Sequence, residues 1–95
     1  MKKIITVIVL IFTTSPAFAF DVVSHCKEVS KAVGGSYQIE ETCRQQEYEA
    51  KRKVEAMTIP SQIEKHCHEV GRVVGGSYQI METCIHQELE AKSRL

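Results

Sequence analysis

One unit is written twice in this chain. His25 to Lys51, HCKEVSKAVGGSYQIEETCRQQEYEAK, recurs 41 residues later as HCHEVGRVVGGSYQIMETCIHQELEAK, His66 to Lys92, with 19 of 27 positions identical. A repeat of this length is one supersecondary unit, and such a unit buries its apolar face against its neighbour rather than alone. The chain is therefore expected to fold as a tandem pair, with each copy completing the core of the other.

Ahead of the pair stands a leader. Met1, Lys2 and Lys3 form a basic start, Ile4 to Phe12 an apolar run broken by Thr6, and Ala17-Phe18-Ala19 an A-x-A cleavage signal. That layout predicts a secretory signal peptide over residues 1–19, with Phe20 as the new N-terminus. The run is shorter than the roughly 17 to 25 residues of a membrane span, so no stable membrane insertion is expected after cleavage. Cleavage would leave 76 residues carrying a net charge of −2, a balance that disfavours nucleic acid as a partner.

A unit of this size has little core and usually relies on a staple. Cys26, Cys43, Cys67 and Cys84 supply one: an even cysteine count in an exported chain reads as two disulfides, for which three connectivities exist. Spacing helps to choose. Val22, Cys26, Val29 and Val33 fall at i, i+4, i+7 and i+11, one stripe of a helix, and Ile63, Cys67, Val70 and Val74 repeat it. Gly34 and Gly75 are placed to close each first helix in the left-handed conformation, and Ser36 and Ser77 to cap the next. Second helices starting at Tyr37 and Tyr78 carry inward stripes of Ile39, Cys43, Ala50 and Val54, and of Ile80, Cys84, Ala91 and Leu95. Counted from the turn, Cys26 and Cys43 both lie roughly 10 to 12 Å from the hairpin tip. The expected pairs are Cys26 with Cys43 and Cys67 with Cys84, with crossed pairs as the alternative.

The second helix of the first unit is expected to run to about Thr58 before Pro60 ends it. Ser61-Gln62-Ile63-Glu64 reads as a capping box with Ser61 as N-cap. The fold class that follows is all-α: two tandem disulfide-stapled αα-hairpins, residues 20–58 and 59–95, as an up-down bundle or as stacked hairpins in one compact unit.

The pattern H-C, short helix, GGSYQI, then T-C-x-x-Q-E-x-E-A-K covers nearly all of the chain after the leader. It resembles small, uncharacterised exported proteins of Gram-negative bacteria built from the same cysteine-bracketed hairpin, a group with no established activity to carry over. The paired cysteines are also similar to those of the coiled-coil-helix family, in architecture only, because sixteen residues separate them here instead of nine.

The copies differ along one face. Glu40, Arg44 and Tyr48 become Met81, Ile85 and Leu89, so a polar stripe at i, i+4, i+8 turns apolar in the second unit. That stripe either packs against the first hairpin or offers a protein partner, a second copy included, a ridge to bind. Met81, Ile85 and Leu89, with Tyr37 and Tyr78 at the hairpin tips, are the candidate contact residues. Glu47 and Glu88 come one turn after the second cysteines and are expected to face the start of the preceding helix. There each would accept its free N–H groups, or pair with His25 or His66 and make the hairpin sensitive to mild acid, while also pairing with Lys51 and Lys92 at i, i+4.

Catalytic and metal chemistries find little support. The chain has no C-x-x-C, G-x-S-x-G, H-E-x-x-H or phosphate loop. On their helices His68 is turned about 100° from Cys67 and His86 about 200° from Cys84, so with His66 no four donors converge, and disulfide-bonded cysteines are not thiolate ligands. No cofactor and no catalytic residue is assigned. The expected function is that of a small exported non-enzymatic helical interaction protein of the bacterial envelope, periplasmic or secreted. The alternative is a small-ligand or metal-binding protein, or one with a redox-active disulfide.

Overall fold

The computed structural model describes residues 19–95; the signal peptide expected over residues 1–19 lies, apart from Ala19, outside them. Four helices follow in order: α1 Val22–Ala32, α2 Tyr37–Ala56, α3 Ser61–Val73 and α4 Tyr78–Ser93. No strand occurs among the described residues. Disulfides Cys26–Cys43 and Cys67–Cys84, with Cα atoms 5.6 and 5.4 Å apart, staple α1 to α2 and α3 to α4. The two inner helices, α2 and α4, pack on each other, and α1 and α3 lie outside them. The fold is thus a pair of stapled hairpins stacked through their second helices.

Local chemistry accounts for each turn. Gly34, Gly35, Gly75 and Gly76 all have φ between 85° and 94°, a region that residues with a Cβ rarely adopt. The N–H of Gly35 bonds the carbonyl of Ser30 and that of Gly76 the carbonyl of Gly71, the bond by which a left-handed turn satisfies the end of a helix. Ser36 and Ser77 then accept from the N–H groups of Ile39 and Ile80, and Asp21 caps α1 in the same way through the N–H of Ser24. The link between hairpins differs from expectation by one residue. Pro60 takes the cap position of α3 and Ser61 the first helical one, so Ser61 makes no cap bond and the capping box does not form.

Two apolar clusters hold the stack together. Val54, Ile63, Cys67, Met81, Cys84 and Ile85 form the larger, with Met57, Ile59, Val70 and Leu89 against its edge. Val22, Cys26, Ala50 and Tyr78 form the smaller, and Phe20 packs against both. Met81 and Ile85, 1% and 0% exposed, are therefore internal, and Leu89 is half-buried. As contact residues for an outside partner, Met81 and Ile85 are corrected: the apolar stripe of the second unit is covered by α2 of the first. The inward stripes end earlier than their period suggests. Val33, Val74, Ile39 and Ile80 near the hairpin tips are exposed, as is Leu95, because no neighbouring helix extends over them.

Phe20 is the residue the pattern did not anticipate. Its ring stacks on His68 at 4.9 Å and tilts against Tyr78 at 5.0 Å, while its N–H donates to the Tyr78 hydroxyl at 2.9 Å. The space it occupies exists because the second unit has Gly71 where the first has Ser30. In the first unit, the Ser30 hydroxyl donates to the Ser36 carbonyl at 2.7 Å. A Cβ on Gly71 would lie 2.9 Å from the Ser77 carbonyl oxygen and 3.1 Å from the Phe20 ring. Replacing Gly71 by alanine is expected to cost about 2 kcal/mol through this overlap, outweighing alanine's better helix propensity. Thermal denaturation followed by circular dichroism tests it; an unchanged or raised melting temperature would show that Phe20 yields freely.

Candidate functional site

The junction between the hairpins is organised around one carboxylate. Glu47 comes a turn after Cys43 on α2, on the face turned to α4, and it is completely buried. It accepts from the Ser77 hydroxyl at 2.7 Å, the Tyr78 N–H at 2.6 Å and the Gln79 side-chain amide at 3.1 Å. A negative group placed at the first turn of a helix meets both free N–H donors and the positive end of the helix dipole. Glu47 does cap a helix, but the helix is α4 of the other hairpin rather than α1. His25 Nε2 stands 3.9 Å from its Oε2, at the limit of ion-pair reach.

The tyrosine at that helix start is seated by the same surface. The Tyr78 ring belongs to the cluster of Val22, Cys26 and Ala50, and Lys51 Nζ lies 5.9 Å above it, within cation–π range. Lys51 therefore serves the ring, and Glu47 is engaged with α4 instead of forming a surface pair with it. Of the two candidate contact tyrosines, Tyr78 is buried inside the junction, which corrects its assignment to an outside partner. Tyr37, its counterpart, is 87% exposed.

Beside Glu47 the hairpins diverge and leave a groove of about 410 Å³. Glu47, His25, Thr42, Gln46, Ser77 and Gln79 supply its polar lining, while Ile39, Val74 and Ile80 add exposed apolar side chains. Cys43 also lines it and is half-buried, whereas Cys26, Cys67 and Cys84 are buried; all four are in disulfides.

The remaining histidines are dispersed. His66 Nε2 faces Glu88 at 3.7 Å on the surface, His86 faces Glu82 at 3.6 Å along α4, and His68 lies under Phe20. Among the described residues, no three His, Cys, Asp or Glu side chains converge into a group able to hold a metal ion. Away from the junction, Arg72 holds the Glu69 carboxyl below the ordinary carboxylate range, chiefly by a side-chain hydrogen bond, and is itself raised by Glu69.

No described helix is long and apolar enough to cross a membrane. Compared with family models, curated proteins and solved structures, the chain matches none of them.

Proposed function

We propose that this chain is a small exported, non-enzymatic interaction protein of the bacterial envelope, and that it receives a protein partner in the groove between its hairpins. The observation that carries this reading is the groove's composition: Ile39, Val74 and Ile80 stand exposed around polar groups, of which Ser77 and Gln79 are hydrogen-bonded to Glu47. An apolar rim with a few convergent polar groups is the usual makeup of a recognition site. Two disulfides within so short a chain accord with an oxidising compartment, periplasmic or external.

The test places a photo-crosslinking residue at Val74 or Ile80, with Glu55 as a control outside the groove, in protein exported by its own host. A discrete adduct is expected from the rim positions and not from Glu55, and Ile39→Asp should remove it. Rim positions that give no adduct in folded, exported protein would overturn the reading.

A further inference from the structure

The way the second hairpin docks on the first has an unused duplicate. In the filled junction, the plug is Ser77-Tyr78-Gln79 at the start of α4, and the seat is Val22, Cys26, Glu47, Ala50 and Lys51. The plug has an identical counterpart, Ser36-Tyr37-Gln38, at the start of α2. The Tyr37 ring is open to solvent, and a Cβ built on Gly34 or Gly35 beside it would meet nothing within 4 Å.

The seat recurs as well. Val22, Glu47, Ala50 and Lys51 correspond at the 41-residue offset to Ile63, Glu88, Ala91 and Lys92. Those four line one open cleft of about 330 Å³ on the outer side of the second hairpin. Each molecule thus displays a plug on its first hairpin and a corresponding seat on its second, with the Glu, Ala and Lys kept, Ile63 in place of Val22, and Cys67, the counterpart of Cys26, buried beneath it.

We propose that the cleft at Ile63, Glu88, Ala91 and Lys92 receives Tyr37 of a second copy of this chain, so that molecules associate head to tail. The chemistry is that of the internal junction: the Glu88 carboxylate meets the positive start of the incoming α2 and its free N–H groups, and Lys92 lies over the tyrosine ring. The contact joins two different surfaces, so each added molecule brings a fresh plug and a fresh seat, and growth continues unless the rotation closes a ring.

The contact between copies is weaker than the internal one for identifiable reasons. Glu40 and Arg44, paired with each other along α2, stand where Met81 and Ile85 provide apolar burial within the chain. Ser61 occupies the position of Phe20. Association is therefore reversible and dependent on concentration. This inference rests on the reading of the chain as an interaction protein but uses a different face from the groove, so the two can fail separately.

Sedimentation velocity of the exported chain, with both disulfides intact, over a wide range of concentration tests it. The expected result is a monomer at low concentration and a growing series of oligomers at high concentration. Tyr37→Ala, which removes the plug, and Glu88→Lys, which reverses the seat's charge, should each raise the midpoint concentration about tenfold or more. Both sites are outside the buried core, so circular dichroism should show unchanged folding. The decisive sample mixes the two variants. Tyr37→Ala retains a seat and Glu88→Lys retains a plug, so the mixture should form one-to-one pairs that stop there. A wild-type chain that stays monomeric throughout overturns the proposal and leaves the cleft to a foreign helix end. Variants that assemble like wild type, or a mixture that fails to pair, overturn it too.

Discussion

Ile85→Arg is expected to separate the two hairpins and to cost at least about 4 kcal/mol. Ile85 is fully buried, and the larger apolar cluster that includes it also contains Val54 from the first hairpin. Truncating such a side chain alone costs about 2 to 5 kcal/mol. The arginine adds a charge with no partner in an apolar setting, which the cluster can accept only by opening. The substitution installs the residue that the first unit carries at this position, Arg44, which the chain tolerates there because the side chain is only half-buried and pairs with Glu40. The reverse change, Arg44→Ile, should cost far less, about 1 kcal/mol, chiefly through loss of the half-buried pair with Glu40. Urea titrations of both variants measure the contrast, and hydrogen exchange should show lost protection concentrated along α2 and α4. Equal effects from the two would mean that the burial difference between the faces does not govern the stack.

Glu47→Ala should be the costliest change of a polar residue, at about 2 to 3 kcal/mol. It strands the Ser77 hydroxyl, the Tyr78 N–H and the Gln79 amide, which converge on the carboxylate, and a stranded buried donor costs about 1 to 3 kcal/mol. Relief from burying a carboxylate offsets part of that total. Glu47→Gln keeps one acceptor oxygen, replaces the other by an NH2 donor and removes the charge that favours the start of α4, and should fall between alanine and wild type. The matching change Glu88→Gln lies on a surface where the carboxylate is 45% exposed, and should leave the stability of the isolated molecule nearly unaltered. If Glu47→Ala melted like wild type, the carboxylate would be merely tolerated at the junction.

Hairpin architecture was legible because its signals are local. The glycine pairs, the serine caps and the cysteine positions measured from the turn all act within a few residues, so the turns and both disulfides could be placed before any tertiary contact was known. Partners across the junction were not legible in this way. Glu47 was readable as a helix cap, but whether it served α1 or α4 depended on how the hairpins stack, and only the stacked hairpins bring α4 to it. Period alone also overextended the core: Ile39, Ile80 and Leu95 continue the stripes past the reach of any neighbouring helix. The pattern presented the Met81 and Ile85 stripe as core or contact face without deciding, and burial decides for core. Phe20 gave the weakest signal of all. The one hint was the loss of Ser30's counterpart at Gly71, a missing side chain whose space is filled from a distant part of the chain.

Both disulfides lie within hairpins, and none crosses between them. Under tension along the chain, each bond shunts the load past the sixteen residues it encloses and withholds about 50 Å of extension. The unbridged join between α2 and α4 is then the compliant part of the molecule. A modest pull would part the hairpins there, each still closed by its own cross-link, and on release Tyr78 and Glu47 would find each other again without any disulfide having to break or re-form. Oxidation thus gives the molecule two inextensible links and one latch.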